Sequence, residues 1–149
     1  MKNYLALTAL ILTRAFAADT NTETKIKMKD LPVAVQNAVA GQRGNATLKG
    51  LTREVEDGTT LYEAEFKVNG RGRDVSFDES GNLVSVEEEV ALDSIPAAAR
   101  DAIKSRAAEG KIKFVEKVTK GSVMYYEAQV KTGRADSEVK VNADGSPVQ

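Results

Sequence analysis

The sequence predicts an α+β fold: a tandem duplication of one helix followed by an antiparallel meander, with both helices packed on one face of a curved antiparallel sheet. Three observations carry this expectation. A shift of 64 residues lays Leu31-Pro32-Val33-Ala34 over Ile95-Pro96-Ala97-Ala98 and Leu61-Tyr62-Glu63-Ala64-Glu65-Phe66-Lys67 over Tyr125-Tyr126-Glu127-Ala128-Gln129-Val130-Lys131, with no gap from Met28 to Val84. Each copy opens with apolar residues at helical spacing. Each then changes to a period of two, broken by glycine turns.

Residues 1–18 read as an export signal. Lys2 supplies the positive start, Tyr4 to Leu12 a short apolar run, and Ala15-Phe16-Ala17 a small-x-small cleavage site. The run is too short for a bilayer, which needs about 20 apolar residues, so no membrane insertion is expected after cleavage. Cleavage takes Lys2 and Arg14 with it, lowering 21 basic side chains to 19 against 22 acidic ones, a net charge of −3. Residues 19–27 are then expected as a flexible mature N-terminus, 28–91 as the first repeat, and 92–149 as a second repeat truncated at its last strand.

In the first copy Leu31, Val35, Ala38 and Val39 share one helical face; in the second, Ile95, Ala99, Ala102 and Ile103 do. Asp30 and Ser94 are the expected N-caps, with Pro32 and Pro96 in the first turn. Gly41 and Gly44 should end the first helix and Gly110 the second. Along the strands Tyr62, Ala64, Phe66, Tyr126, Ala128 and Val130 alternate with charged neighbours, so one sheet face is buried and the other wet. Asp57-Gly58, Asn69-Gly70 and Ser80-Gly81-Asn82 mark hairpin turns, answered by Gly121, Gly133 and Gly145. Each unit is one helix on a three- or four-stranded meander, and neither buries much core by itself.

The Asp30-Leu31-Pro32 helix start, the Tyr62-Glu63-Ala64-Glu65-Phe66 strand, the hairpin from Val75 to Leu83 and their partners 64 residues later resemble the PepSY-like, β-lactamase-inhibitor-like family of secreted bacterial proteins. The resemblance covers nearly all of the chain after the export signal. It implies a concave antiparallel sheet backed by two helices, with an open sheet face that grips another protein. The wet face here is charged rather than aromatic.

Composition narrows the chemistry. With no His and no Cys the chain has no zinc or copper site of the usual kind, no Ser-His-Asp or Cys-His nucleophile and no disulfide, and no cofactor is expected. A formal charge of −1 on the whole chain draws in no nucleic acid. Ser137-Glu138-Val139-Lys140 spells a serine–lysine nucleophile motif, but on a strand residues three apart face opposite ways. Asp78, Ser80, Asn82 and Glu89 have the count of a calcium loop, yet Leu83, Val84 and Val86 read as a strand, which makes the segment a hairpin. Glu87-Glu88-Glu89 reads as a solvated edge and Asn69-Gly70-Arg71-Gly72-Arg73 as a tight turn with edge charges rather than an anion seat. Glu63 and Glu65, roughly 7 Å apart on one strand face, are the one carboxylate pair suited to acid–base work, on a face that offers no pocket.

The expected function is an exported, non-enzymatic binding module, peptidase- or enzyme-inhibitor-like, that uses its open sheet face on a protein or peptide. The alternative is an envelope structural or ligand- or cation-sequestering protein. Tyr125, Glu63, Glu65, Glu127, Lys67 and Lys131 are the expected partner-binding residues: Tyr125 as the aromatic anchor and the glutamates steering a basic partner.

Overall fold

The computed structural model describes residues 22–56 and 58–148; the expected export signal lies outside the described residues. Strand β1 (Thr22–Lys25) is followed by a 3-10 turn at Met28–Asp30, helix α1 (Val33–Arg43), and strands β2 (Thr47–Glu56), β3 (Thr59–Val68), β4 (Arg71–Asp78) and β5 (Leu83–Val90). A second 3-10 turn at Leu92–Ser94 leads into α2 (Ala97–Ala107), β6 (Lys111–Lys120), β7 (Val123–Thr132) and β8 (Ala135–Val141). Both 3-10 turns, both helices and the first strands after them stand 64 positions apart, and by the same count β1 corresponds to Val86–Glu89 of β5.

All eight strands form one antiparallel sheet in sequential order. The two meanders join in one antiparallel sheet, as expected from sequence, because β5 pairs with β4 along one edge and β6 along the other. The segment 19–27, expected to be flexible, contains β1, which pairs with Thr52 to Val55 of β2. Its side chains are all exposed, so its place in the sheet rests on main-chain pairing rather than on burial.

Both helices begin differently from expectation. Pro32 and Pro96 occupy the N-cap positions and no side chain caps either helix. A residue before proline is driven to extended backbone, and Leu31 and Ile95 adopt it at ψ 152° and 162°. That kink leaves Asp30 and Ser94 in the 3-10 turns, where the Ser94 hydroxyl donates to the Ala91 carbonyl at 2.7 Å. Gly44 closes α1 at φ 47° while Gly41 lies inside the helix. In α2 the closing residue is Ala108, at φ 48°, not Gly110. Gly110 serves packing instead: a Cβ there would run into the Val130 side chain.

Two apolar clusters form between helices and sheet. Leu31, Val35 and Val39 pack with Tyr62, Ala64, Phe66, Val75 and Phe77. Ile95, Ala99 and Ile103 pack with Val115, Tyr126, Ala128, Val130 and Val141. The expected inward orientation of Tyr62, Phe66 and Tyr126 is what the structure shows, at 6%, 2% and 8% exposure. By strand register both clusters lie on the same sheet face, and β5 lends Val86 to the first and Val90 to the second. Arg73 ties α1 to the sheet, donating from Nη1 to the Gln42 carbonyl and from Nη2 to Gln42 Oε1 at 2.7 Å. Among the described residues no helix is long and apolar enough to cross a membrane. Among the described residues the opposite sheet face carries no helix.

Candidate functional site

Alternation places every second residue of β2 to β8 on that uncovered face, and the hairpin registers set them side by side. One row runs Gly50, Glu65, Asp74, Glu87, Val118, Tyr125 across six strands. Its neighbour runs Glu89, Glu116, Glu127, Lys140 across β5 to β8. Each row therefore opposes three carboxylates directly, an arrangement that costs sheet stability when all are ionised. Glu63 sits beside the first row, opposite Thr52 and Ser76. Gly50 is what lets Glu65 lie down: a Cβ there would stand 3.0 Å from the Glu65 carboxylate.

The carboxyl groups respond as crowded, half-buried acids do. Burial first, then Asp74, Glu54, Glu87 and Glu65, push Glu63 up to about 9. Burial and Glu65 raise Asp74 to about 7. Glu87 rises to about 7 through burial and Glu127, with Lys140 opposing, and Glu116 to about 8 through burial, Glu87 and Asp74. Burial also pushes the Tyr125 phenol up.

Lys140 is the cation within the second row. Its Nζ lies 3.1 Å from Glu127 and 3.3 Å from Glu138, and Gln129 Nε2 donates to Glu138 at 3.0 Å and to Glu127 at 3.4 Å. Glu127 is consequently 7% exposed. The expectation of a wet, steering Glu127 is corrected: its carboxylate is committed to Lys140. Tyr125 is half-buried, next to Val118, which is 1% exposed on the face that carries no helix among the described residues.

The six residues expected from sequence thus share one face but fall into different surroundings. Glu63 and Glu65 join Asp74 and Glu87; Tyr125 ends their row about 19 Å away at the usual strand spacing. Lys67 and Lys131 lie at the same end of their strands, opposite Gly72 and Asp136. Asp74, Glu87 and Glu116 were missed as site residues. Asp74 was within reach, since the two-residue Asn69-Gly70 turn fixes Glu65 opposite it. Glu116 depends on a pairing made across the whole of α2.

The other sequence candidates resolve by geometry. The Asp78 carboxylate accepts from the main chains of Ser80 and Asn82 and from the Asn82 amide, all at 2.9 Å, closing the hairpin turn. Glu89, the twelfth position of that would-be calcium loop, instead accepts from the Gly72 amide at 2.9 Å. Arg73 faces Glu88 at 3.7 Å besides donating to Gln42, so its guanidinium is engaged within the protein. Ser137 bonds to the Val130 carbonyl while Lys140 reaches Glu127, on the opposite face.

Solved structures share this architecture. A "putative periplasmic" protein of Bacteroides eggerthii superposes with TM-score 0.65 at 22% identity, over 80% of this chain and 86% of that one. A "BLIP-like" protein of Bacteroides fragilis gives 0.57 at 21%, over 78% and 82%. A DUF2874 family protein of Bacteroides ovatus gives 0.61 at 21%, over 80% and 85%. No curated protein matches the chain. Residues 59–146, from β3 through the turn after β8, match the family described as "Putative beta-lactamase-inhibitor-like, PepSY-like". The chain belongs to that PepSY-like, β-lactamase-inhibitor-like family.

Proposed function

We propose that this chain is an exported, non-enzymatic binding module, built by tandem duplication, whose uncovered sheet face takes a basic protein or peptide in the manner of an enzyme inhibitor. The observation that carries the reading is the directly opposed carboxylates of the two rows, Glu65–Asp74–Glu87 and, beside them, Glu89–Glu116. Ionised together they repel one another, and a Lys- or Arg-rich surface would relieve that repulsion while gaining its own charge pairs. Tyr125 and Val118 supply an apolar patch beside them. Export is supported by the Lys2, apolar-run and Ala15-Phe16-Ala17 pattern and by the "putative periplasmic" neighbour. The cation-sequestering alternative has less behind it, because the described acids include no group of three placed to hold a metal ion.

Titration with a lysine-rich and a glutamate-rich peptide of equal length, followed by calorimetry, tests the reading. The basic peptide should bind, and raising the salt should weaken it steeply. Glu87→Gln with Glu116→Gln should reduce its affinity by about tenfold, or about 1.4 kcal/mol. Equal binding of both peptides, or affinity indifferent to the double substitution, would remove the sheet face from consideration.

A further inference from the structure

Four positions of the uncovered face recur 64 residues later in the same register. Glu63 lies opposite Ser76 and Glu65 opposite Asp74; in the second set Glu127 lies opposite Lys140 and Gln129 opposite Glu138. The second set satisfies itself. Lys140 Nζ stands 3.1 Å from Glu127 and 3.3 Å from Glu138, and the Gln129 amide donates to both carboxylates. The first set keeps both acids, as Glu63 and Asp74, but replaces each donor: Ser76 stands for Lys140 and Glu65 for Gln129. Its formal charge is −3 where the second set carries −1. We propose that Glu63, Asp74 and Glu65 seat the ammonium group of a lysine side chain from the partner, as Glu127 and Glu138 seat that of Lys140. This rests on the reading that the face takes a basic protein or peptide, and narrows it to one kind of cation at one place.

The chain does not fill this place itself. Among the described residues Glu63, Glu65 and Asp74 form no ion pair with a lysine or arginine. Lys25 and Lys120 share the row of Glu63 but stand two and three strands away, about 10 and 14 Å at the usual strand spacing. Burial and the carboxylates of Asp74, Glu54, Glu87 and Glu65 all act on Glu63 against its ionised form, whereas at Glu127 the Lys140 ammonium opposes burial. The side chains beside Glu63 are also short. Ser76 ends at its hydroxyl where Lys140 runs on through its methylene stem, and the next residue along the row is Ser85. The length that the Lys140 stem occupies in the second set is left to an incoming chain in the first.

An ammonium suits this set better than other cations do. It is a compact charge with three donors on a flexible stem, and Glu63, Asp74 and Glu65 supply three separate acceptor groups. A guanidinium is a planar fork that pairs best with both oxygens of one carboxylate. A metal ion is disfavoured because the described acids include no group of three placed to hold one.

Calorimetric titration of the intact chain with a lysine-rich peptide, and with the same peptide carrying trimethyl-lysine, tests the seat. Trimethylation keeps the charge and removes every N–H donor, so the unmodified peptide should bind about tenfold or more tightly. Ser76→Lys supplies the ammonium from within, as position 140 does in the second set. It should weaken binding of the lysine peptide about tenfold. It should also melt about 3 °C or more above Ser76→Met at pH 8, methionine matching its length without its charge. Free n-butylammonium should bind at least tenfold more weakly than the lysine peptide; equal affinity would make the ligand a small amine and overturn the assignment to a partner's lysine. If both peptides bind equally well and Ser76→Lys alters neither affinity nor melting, the basic-partner reading stands and the seat falls. If neither peptide binds, that reading falls and the seat with it.

Discussion

Ala108 closes α2 at φ 48° and ψ −119°, a conformation that glycine adopts freely and alanine does not. Its counterpart Gly44 closes α1 at φ 47° and ψ −124°, with open space where a Cβ would stand. The difference between the two ends is therefore a matter of backbone strain alone. Ala108→Gly should stabilise the protein by about 1 kcal/mol and Gly44→Ala should destabilise it by a similar amount. Urea unfolding of both variants checks this, and a loss of stability in Ala108→Gly would show that the strain lies elsewhere. This site was invisible in the sequence because positive φ is ordinarily inferred from a glycine, and here an alanine stands in the position. Tyr62, Phe66 and Tyr126 were legible for the opposite reason: strict alternation with charged neighbours fixes which way a strand residue points, whatever its partners.

Between elements, the turns after β4 and β8 dock onto the first turns of the helices. A Cβ on Gly81 would stand 2.6 Å from the Ala34 carbonyl oxygen, and one on Gly145 2.7 Å from that of Ala98. Both glycines also have positive φ, 78° and 82°. Gly121, at φ 59° in the β6–β7 turn, has nothing within 4 Å. Gly121→Ala should therefore cost about 1 kcal/mol of backbone strain, whereas Gly145→Ala adds a collision with main chain and should cost about 2–4 kcal/mol. Thermal unfolding of the pair distinguishes them; equal losses would mean that the turn does not press on α2. The hairpins were readable from their glycines and the helices from their apolar spacing. Strand β1 was not, because Thr22-Glu23-Thr24-Lys25 has no apolar alternation and is held by main-chain pairing to β2. The helix starts were misplaced because the proline that begins each helix also disconnects the residues before it.

Across the whole molecule, the carboxylate face ties stability to pH. Glu63, Glu116, Asp74 and Glu87 hold protons in the folded state up to about 9, 8, 7 and 7, well above the ordinary values of 4.5 and 3.8. The folded state therefore binds more protons than the unfolded one over that interval, and stability falls as pH rises through it. Melting temperature should be highest near the ordinary carboxylate range and decline toward pH 9, with Glu63→Gln and Glu116→Gln flattening the decline. A melting temperature that rises over the same interval would contradict the crowding of these acids. The sequence displayed the glutamates but not their adjacency, which arises from β4 meeting β5 and β5 meeting β6. The same sequential strand order governs how the molecule comes together and apart. Each strand finds its partner next along the chain, and only the two segments that carry helices close longer loops, so folding needs few distant encounters and should be fast for so sheet-rich a protein. Force applied at the two termini meets the ladder one strand at a time, as a zipper does, and the two edge strands yield before the joint at β5.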